Sequence, residues 1–165
     1  MKFTRRFTML GLVAAALSAC GSRFRRYDGP EVTRIAVFKK NRRMFLMHNK
    51  SALKSYYIDL GFAPEGDKKI SGDGKTPEGH YYIDRRNPDS RFHLSLGISY
   101  PNKKDLAEAK ALGKSPGGDI FIHGRGNVLT RLRPDWTWGC IAVTNDEIEE
   151  IYAMVRDGTP ISIYA

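Results

Sequence analysis

The apolar residues after position 31 recur in short runs separated by turn-forming residues, a pattern that favours a fold built mainly from β-strands. Val32–Phe38 and Arg43–Met47 flank a polar turn and predict a β-hairpin. Further strands are expected at Ser55–Leu60, His80–Asp84, Arg91–Leu96, Asp119–Ile122 and Ile161–Tyr164. Gly61–Gly79 is rich in glycine, proline and aspartate, which predicts a long loop. We expect a mainly β domain, either a sandwich or a barrel.

Two helices are expected among these strands. Lys103–Leu112 has a helix-forming composition and ends at Gly113. The second helix begins after Thr144, where Glu147 completes a Thr-x-x-Glu capping box. Apolar residues then recur at i, i+3, i+4 and i+7, which predicts one buried face for this helix.

The first 19 residues have the three parts of an export signal: a basic start, an apolar run from Met9 to Leu17, and small residues before Cys20. The apolar run is shorter than the roughly 20 residues that a permanent membrane helix needs. Leu17-Ser18-Ala19-Cys20 resembles a bacterial lipobox, which implies cleavage before Cys20 and lipid on that cysteine. A membrane anchor that is never cleaved is the alternative.

These features predict a lipoprotein signal peptide (1–19), a lipid-anchored basic linker (20–31) and one catalytic domain (32–165). Gly21 and Ser22 stand where inner-membrane retention signals usually have aspartate, which favours the outer membrane of a Gram-negative cell envelope. Loss of residues 1–19, with three basic residues and no acidic one, would reduce the net charge from +9 to +6. The arginines of the linker face either anionic lipid head groups or solvent. Nucleic acid is not an expected partner of an exported lipoprotein.

Cys20 and Cys140 are the two cysteines of the chain. If Cys20 carries lipid, Cys140 has no disulfide partner in an oxidising compartment, which indicates a chemical use for its thiol. An inert, buried cysteine is the alternative. A nucleophilic thiol needs a base and backbone donors for the oxyanion. His123, at the end of an apolar strand, is the candidate base, and the N–H groups of Gly139 and Cys140 are the candidate oxyanion donors.

Three segments together resemble the YkuD-type L,D-transpeptidases. These are His123-Gly124, Thr137-Trp138-Gly139-Cys140-Ile141 and, upstream, Gly74-Lys75-Thr76-Pro77-Glu78-Gly79. The likeness extends from about Ile35 to Ile163. It implies a YkuD-type catalytic fold, sandwich-like or barrel-like, with a few short helices. It also implies that Cys140 takes an acyl group from a peptidoglycan stem peptide and passes it to an amine, with His123 as proton donor and acceptor. No metal or organic cofactor is implied.

One position departs from the family pattern. Many members have arginine two residues after the cysteine, where it helps to hold a substrate carboxylate, whereas this chain has Ala142. The run around Cys140 is similar to a branch near the YafK-type proteins, which include a hydrolase that detaches a lipoprotein from peptidoglycan. An L,D-carboxypeptidase or amidase, acting on peptidoglycan or on a peptidoglycan-linked protein, is therefore the alternative to a transferase. A non-catalytic peptidoglycan-binding lipoprotein is a third hypothesis.

The loop between the two motifs contains the candidate substrate-binding residues: Arg125, Arg131, Arg133, Trp136 and Trp138. The arginines supply positive charge for a carboxylate, and the tryptophans either line a peptide groove or pack beneath the loop. Thr137 and Gly124 are expected to shape the turns beside Cys140 and His123. The remaining histidines, His48, His80 and His93, show no metal-ligand spacing, so no metal site is predicted.

Overall fold

The computed structural model describes residues 22–126 and 133–165, which form eight strands and two helices. The strands are β1 (Arg34–Phe38), β2 (Arg43–His48), β3 (Ser51–Tyr57), β4 (Gly79–Asn87), β5 (Ser95–Ile98), β6 (Phe121–His123), β7 (Ile141–Ala142) and β8 (Pro160–Tyr164). The helices are α1 (Lys103–Ala111) and α2 (Asn145–Met154). No helix in the two described ranges is long and apolar enough to cross a membrane.

The strands form one mixed sheet in the order β3-β2-β1-β8-β4-β5-β6-β7. The last strand of the chain, β8, lies inside the sheet, parallel to β1 and antiparallel to β4. The sheet curls until its two edges meet. Asp59, which follows β3, exchanges two backbone hydrogen bonds of 2.9 Å with Ala142 of β7. The predicted mainly β, barrel-like fold with a few short helices is thus confirmed as a curled half-barrel.

Alternation of apolar and polar residues determines which face of the sheet is buried. Ile35 and Val37 of β1 are fully buried, as are Met44 and Leu46 of β2. Helix α2 packs against β5 and β6 and buries its apolar face, including Ile148, in the same core. The core therefore lies between the curled sheet and α2, next to the strands that precede the two sequence motifs.

Several predicted elements are confirmed. β1 and β2 form the expected antiparallel hairpin, and β8 lies at the predicted position. Helix α1 follows the predicted range, and α2 begins after Thr144. The Thr144 hydroxyl accepts from the Glu147 N–H, and the Glu147 carboxylate accepts from the Thr144 N–H, so the capping box is complete.

β3 and β5 differ most from the predicted strands, the ends of β4 and β6 differ by up to three residues, and β7 was not predicted. β3 runs from Ser51 rather than Ser55, because Asn49, with φ of 54°, allows a tight turn directly after β2. The polar residues after that turn form a strand at the edge of the sheet, paired with β2. The strand expected at Arg91–Leu96 begins only at Ser95. The residues before it form a turn that removes Phe92 from the sheet.

The described part of the basic linker packs against the domain. Arg23 pairs with Asp89 at 3.3 Å, and Arg25 pairs with Glu149 of α2 at 3.0 Å. These carboxylates partly neutralise the two arginines. The sequence alone had predicted that the linker arginines face either lipid head groups or solvent. The predicted lipid site, Cys20, lies outside the described residues.

Lys39 fixes the long loop that precedes β4. Its buried ammonium group donates to the carbonyl oxygens of Gly66 and Thr76 at 2.6 Å and 2.9 Å. A third hydrogen bond of 2.8 Å joins it to the carboxylate of Glu78. Three acceptors from one loop therefore share a single buried cation, which compensates for the cost of burying its charge.

We expect Lys39→Met to lower the free energy of unfolding by about 3 kcal/mol, because it leaves these acceptors without their cation. Urea unfolding followed by tryptophan fluorescence would show a lower midpoint. Lys40→Met, at the neighbouring exposed lysine, is the matched control and should change stability by less than about 0.5 kcal/mol. Equal midpoints for the two variants would mean that other contacts hold the loop.

Candidate active site

Strand register places four residues of neighbouring strands in one row across the sheet. The row consists of Asn87, Ser95, His123 and Ala142, from β4, β5, β6 and β7. Register partners lie side by side and project from the same face of a sheet. The row therefore places the His123 imidazole beside polar side chains of β4 and β5.

Cys140 reaches the same face through the parallel pairing of β6 with β7. Ile122 pairs with Ile141, so Cys140, directly before β7, lies level with Phe121. Because side chains alternate along a strand, Cys140 and Phe121 project from the face that carries His123. The two sequence motifs thus meet at adjacent strands.

A pocket of about 490 Å³ opens on this face, and both His123 and Cys140 line it. The other lining residues belong to β4, β5, β6 and the turns beside them: Asn87, Ser90, Arg91, Phe92, Ser95, Asp119 and Phe121. This pocket is the candidate active site. Within residues 22–126 and 133–165, no group of three His, Cys, Asp or Glu side chains is arranged to hold a metal ion.

The Cys140 thiol is partly buried against the start of β6. Its Sγ atom lies 3.5 Å from the carbonyl oxygen of Asp119. Burial raises the pKa of Cys140, although the backbone N–H of Phe121 opposes that shift by hydrogen bonding to the sulfur. The protonated thiol is therefore the dominant form at neutral pH, and a thiolate nucleophile requires a base.

The His123 ring is held in one orientation by its neighbours. Nδ1 lies 2.6 Å from the carbonyl oxygen of Gly124. A carbonyl only accepts hydrogen bonds, so Nδ1 carries the proton of the neutral ring and Nε2 is the basic nitrogen. The Phe92 ring stacks on the imidazole at 4.4 Å, and Trp136 contacts its edge at 5.6 Å. This environment leaves His123 only 2% exposed.

Gly124 permits α2 to approach the histidine strand closely. A Cβ atom at Gly124 would lie 2.7 Å from Asn145 Oδ1 and 2.8 Å from the carbonyl oxygen of Phe92. Asn145, the first residue of α2, accepts hydrogen bonds of 2.9 Å from the N–H groups of Arg125 and Gly126. Asn145 was not predicted as part of the site, because its partners lie about 20 residues away in the chain.

Thr137 shapes the turn before Cys140 through two hydrogen bonds. Its hydroxyl donates to the Cys140 carbonyl oxygen at 2.7 Å and accepts from the Gly139 N–H at 3.1 Å. Thr137 therefore makes hydrogen bonds to both Gly139 and Cys140 within this turn. One expectation needs correction: because the Gly139 N–H is bound within the turn, it is not available as an oxyanion donor. The Cys140 N–H remains the candidate.

Gly139 is required where the cysteine turn meets the upstream motif. Its φ of 124° disfavours any residue with a side chain. A Cβ atom there would also lie 2.5 Å from the carbonyl oxygen of Lys75. The Gly74–Gly79 segment therefore packs directly beneath the turn that presents Cys140.

Asp59 binds two of the predicted substrate-binding residues. The guanidinium of Arg125 pairs with Asp59 Oδ2 at 2.6 Å, and the indole N–H of Trp136 donates to the same oxygen at 3.2 Å. Asp59 thus joins the β3 edge of the sheet to the loop after His123. The Trp136 ring also contacts the rings of Phe92 and His123, so it packs behind the imidazole.

Trp138 and Arg133 are not among the residues that line the pocket. Trp138 is 71% exposed, and its ring contacts that of Phe62 edge-on at 5.0 Å. Arg133 is exposed, and Arg131 lies outside the described residues. The charged residues that do line the pocket, Arg91 and Asp119, were missed because no local pattern distinguishes them from other loop residues.

Comparison with known proteins agrees with this geometry. Residues 32–163 match the model of the YkuD family, the L,D-transpeptidase catalytic domain. YafK of Escherichia coli K12 is 32% identical over 127 residues, which cover 73% of this chain and 46% of YafK.

Solved structures support the same fold. The helical cell shape determining protein Pgp2 of Campylobacter jejuni is 29% identical, with a TM-score of 0.63 over 83% of this chain and 49% of Pgp2. Bd1075 of Bdellovibrio bacteriovorus is 26% identical, with a TM-score of 0.58 over 86% of this chain and 50% of Bd1075. The chain spans about half the length of these relatives. The match over residues 32–163 and the shared fold show that this chain belongs to the YkuD family of L,D-transpeptidase catalytic domains.

Proposed function

We propose that this protein is a peptidoglycan L,D-transpeptidase-like cysteine acyltransferase. The observation that carries the proposal is the joint placement of Cys140 and His123 in one pocket, with His123 Nδ1 bound to a carbonyl and Nε2 as the basic nitrogen. Family membership supports a peptidoglycan stem peptide as the acyl donor. The scissile bond joins the L-configured carbonyl of the third residue to a D-amino acid.

In the proposed reaction, His123 Nε2 takes the thiol proton while Cys140 Sγ attacks the scissile carbonyl carbon. The Cys140 N–H donates to the developing oxyanion. When the tetrahedral intermediate collapses, the C–N bond breaks and His123 returns its proton to the leaving amine. The product is a thioester between Cys140 and the third residue of the stem peptide.

An amine or water then resolves the thioester. Transfer to a second stem peptide, through a diaminopimelate amine, gives a cross-link, whereas attack by water gives a shortened peptide. Hydrolysis is the second candidate function, since Ala142 occupies the row position beside His123 where many family members have arginine. A peptidoglycan-linked protein is an alternative donor for the same chemistry.

The product distribution tests these reactions. Full-length protein in detergent is incubated with tetrapeptide muropeptides, and the products are separated by chromatography and identified by mass. Cross-linked or amine-exchanged products support transfer, and tripeptides with free D-alanine support hydrolysis. Absence of both, with a folded protein that still binds muropeptides, would favour the non-catalytic binding hypothesis.

We propose, further, that lipid on Cys20 tethers the protein to a membrane of the cell envelope, with the outer membrane favoured. The lipobox-like sequence before Cys20 supports this. So does the packing of the linker, which would hold the domain close to its anchor. We expect Cys20→Ala to move the protein from the membrane fraction to the soluble periplasmic fraction. Membrane retention of this variant would contradict lipid anchoring at Cys20.

A further inference from the structure

The lining of the candidate active site includes one acidic and one basic side chain, Asp119 and Arg91. Asp119 lies beside Cys140, since its carbonyl oxygen is 3.5 Å from Sγ. Arg91 directly precedes Phe92, whose ring stacks on His123. Both charged residues line the pocket. The acidic residue is therefore a neighbour of the thiol, and the basic residue precedes the ring that stacks on the imidazole.

Arg85 holds the Asp119 carboxylate in place without covering it. Arg85 pairs in register with Gly97, where a Cβ atom would lie 2.4 Å from Arg85 Cγ. Glycine thus lets the Arg85 side chain cross β5, and its guanidinium lies 4.5 Å from the Phe121 ring centre and 3.2 Å from Asp119 Oδ1. The Asp119 side chain is still 90% exposed, so its carboxylate is open to a ligand.

Arg91 offers a cation in the pocket lining, next in the chain to Phe92. It is exposed in the turn before β5, and it forms no ion pair with any residue of the two described ranges. By contrast, Arg125 near the same histidine is paired with Asp59 at 2.6 Å. An incoming carboxylate would therefore meet Arg91 without first displacing an internal acid.

The proposed reaction requires charges in this order. His123 must protonate the leaving amine, and in a leaving D-amino acid the carboxylate is attached to the same carbon as that amine. The leaving carboxylate therefore lies on the imidazole side of the pocket. The acyl-donor residue stays on the thiol side, and a diaminopimelate donor carries a side-chain ammonium there.

We propose that Asp119 and Arg91 orient the stem peptide from its two ends. Asp119 binds the side-chain ammonium of the acyl-donor residue, and Arg91 binds the carboxylate of the leaving D-amino acid. Both contacts are charge-assisted hydrogen bonds, which are stronger than neutral ones. This assignment rests on the proposed function and names the features of the substrate that the pocket recognises.

The test uses full-length protein and three synthetic peptides. These are L-Ala-γ-D-Glu-diaminopimelate-D-Ala, the same peptide acetylated at the free side-chain amine, and the same peptide ending in D-alaninamide. Every reaction contains the same saturating amino acid as amine acceptor, because acetylation also removes the peptide's own acceptor amine. In the unmodified protein, either modification is then expected to lower kcat/KM about tenfold, which is about 1.4 kcal/mol. The acetylation penalty is the factor by which acetylation lowers kcat/KM, and the amide penalty is the factor by which the terminal amide lowers it. The acetylation penalty should fall below about twofold in Asp119→Asn, and the amide penalty should fall below about twofold in Arg91→Gln.

Each penalty is a ratio of two kcat/KM values measured on the same variant, so it does not depend on the fraction of active protein. Asparagine also accepts the left-handed backbone of Asp119, whose φ is 56°. Glu31→Gln, in a distant exposed ion pair with Arg156, is the control and should keep both penalties. If the unmodified protein converts no peptide, the proposed function fails together with this assignment. If it converts the first peptide but Asp119→Asn and Arg91→Gln retain its penalties, only the assignment is overturned.

Discussion

Replacement of Cys140 by alanine is expected to abolish both acyl transfer and hydrolysis, with a loss of at least about 10⁴-fold in kcat. The sulfur is the atom that forms the proposed thioester, and no other described residue lining the pocket is a cysteine. The fold should persist, because the contact of Sγ with the Asp119 carbonyl, at 3.5 Å, is weak.

Intact-mass analysis after incubation with a carbapenem checks the chemical step directly. The unmodified protein should gain the mass of one carbapenem, and peptide mapping should locate it on Cys140. Cys140→Ala should gain no mass, while its circular dichroism spectrum and thermal midpoint stay close to those of the unmodified protein. Muropeptide turnover by a folded Cys140→Ala variant would overturn the thioester mechanism.

Replacement of His123 by glutamine is expected to lower kcat by about 10²–10⁴-fold, the usual contribution of a general base. Glutamine retains a hydrogen-bond donor for the Gly124 carbonyl but cannot take the thiol proton. Because burial raises the pKa of Cys140, the thiolate fraction without a base stays small at neutral pH. The residual activity of His123→Gln should therefore rise about tenfold per pH unit until the pH reaches the pKa of the thiol.

A control variant distinguishes the loss of the proposed base from the loss of a histidine elsewhere in the protein. His80 is exposed on β4 and contacts Ser162, so His80→Gln should keep the turnover and pH profile of the unmodified protein. The rate of carbapenem acylation is measured from pH 6 to pH 10 for all three proteins. A His123→Gln profile parallel to that of the unmodified protein would show that His123 does not supply the base.

The sequence determined those features that depend on neighbouring residues. Alternating apolar residues predicted β1 and β2, and the Thr144 and Glu147 pair predicted the start of α2. The two motifs predicted Cys140 and His123 as candidate catalytic residues because a thiol and an imidazole in such motifs have a specific chemical use, and both residues line one pocket. Local hydrogen bonding also made the turn-forming role of Thr137 predictable.

Tertiary structure alone decided which side chains meet in the pocket. Phe92 follows a strand-like alternation in the sequence, yet it leaves the sheet to stack on His123. Arg85 reaches Asp119 only because Gly97 lies on the strand between them. Such contacts depend on the order, register and curl of the strands. These features are determined by many weak interactions spread over the whole chain. Local sequence patterns therefore did not predict the charged residues that line the pocket, whereas they did point to the candidate nucleophile and its candidate base.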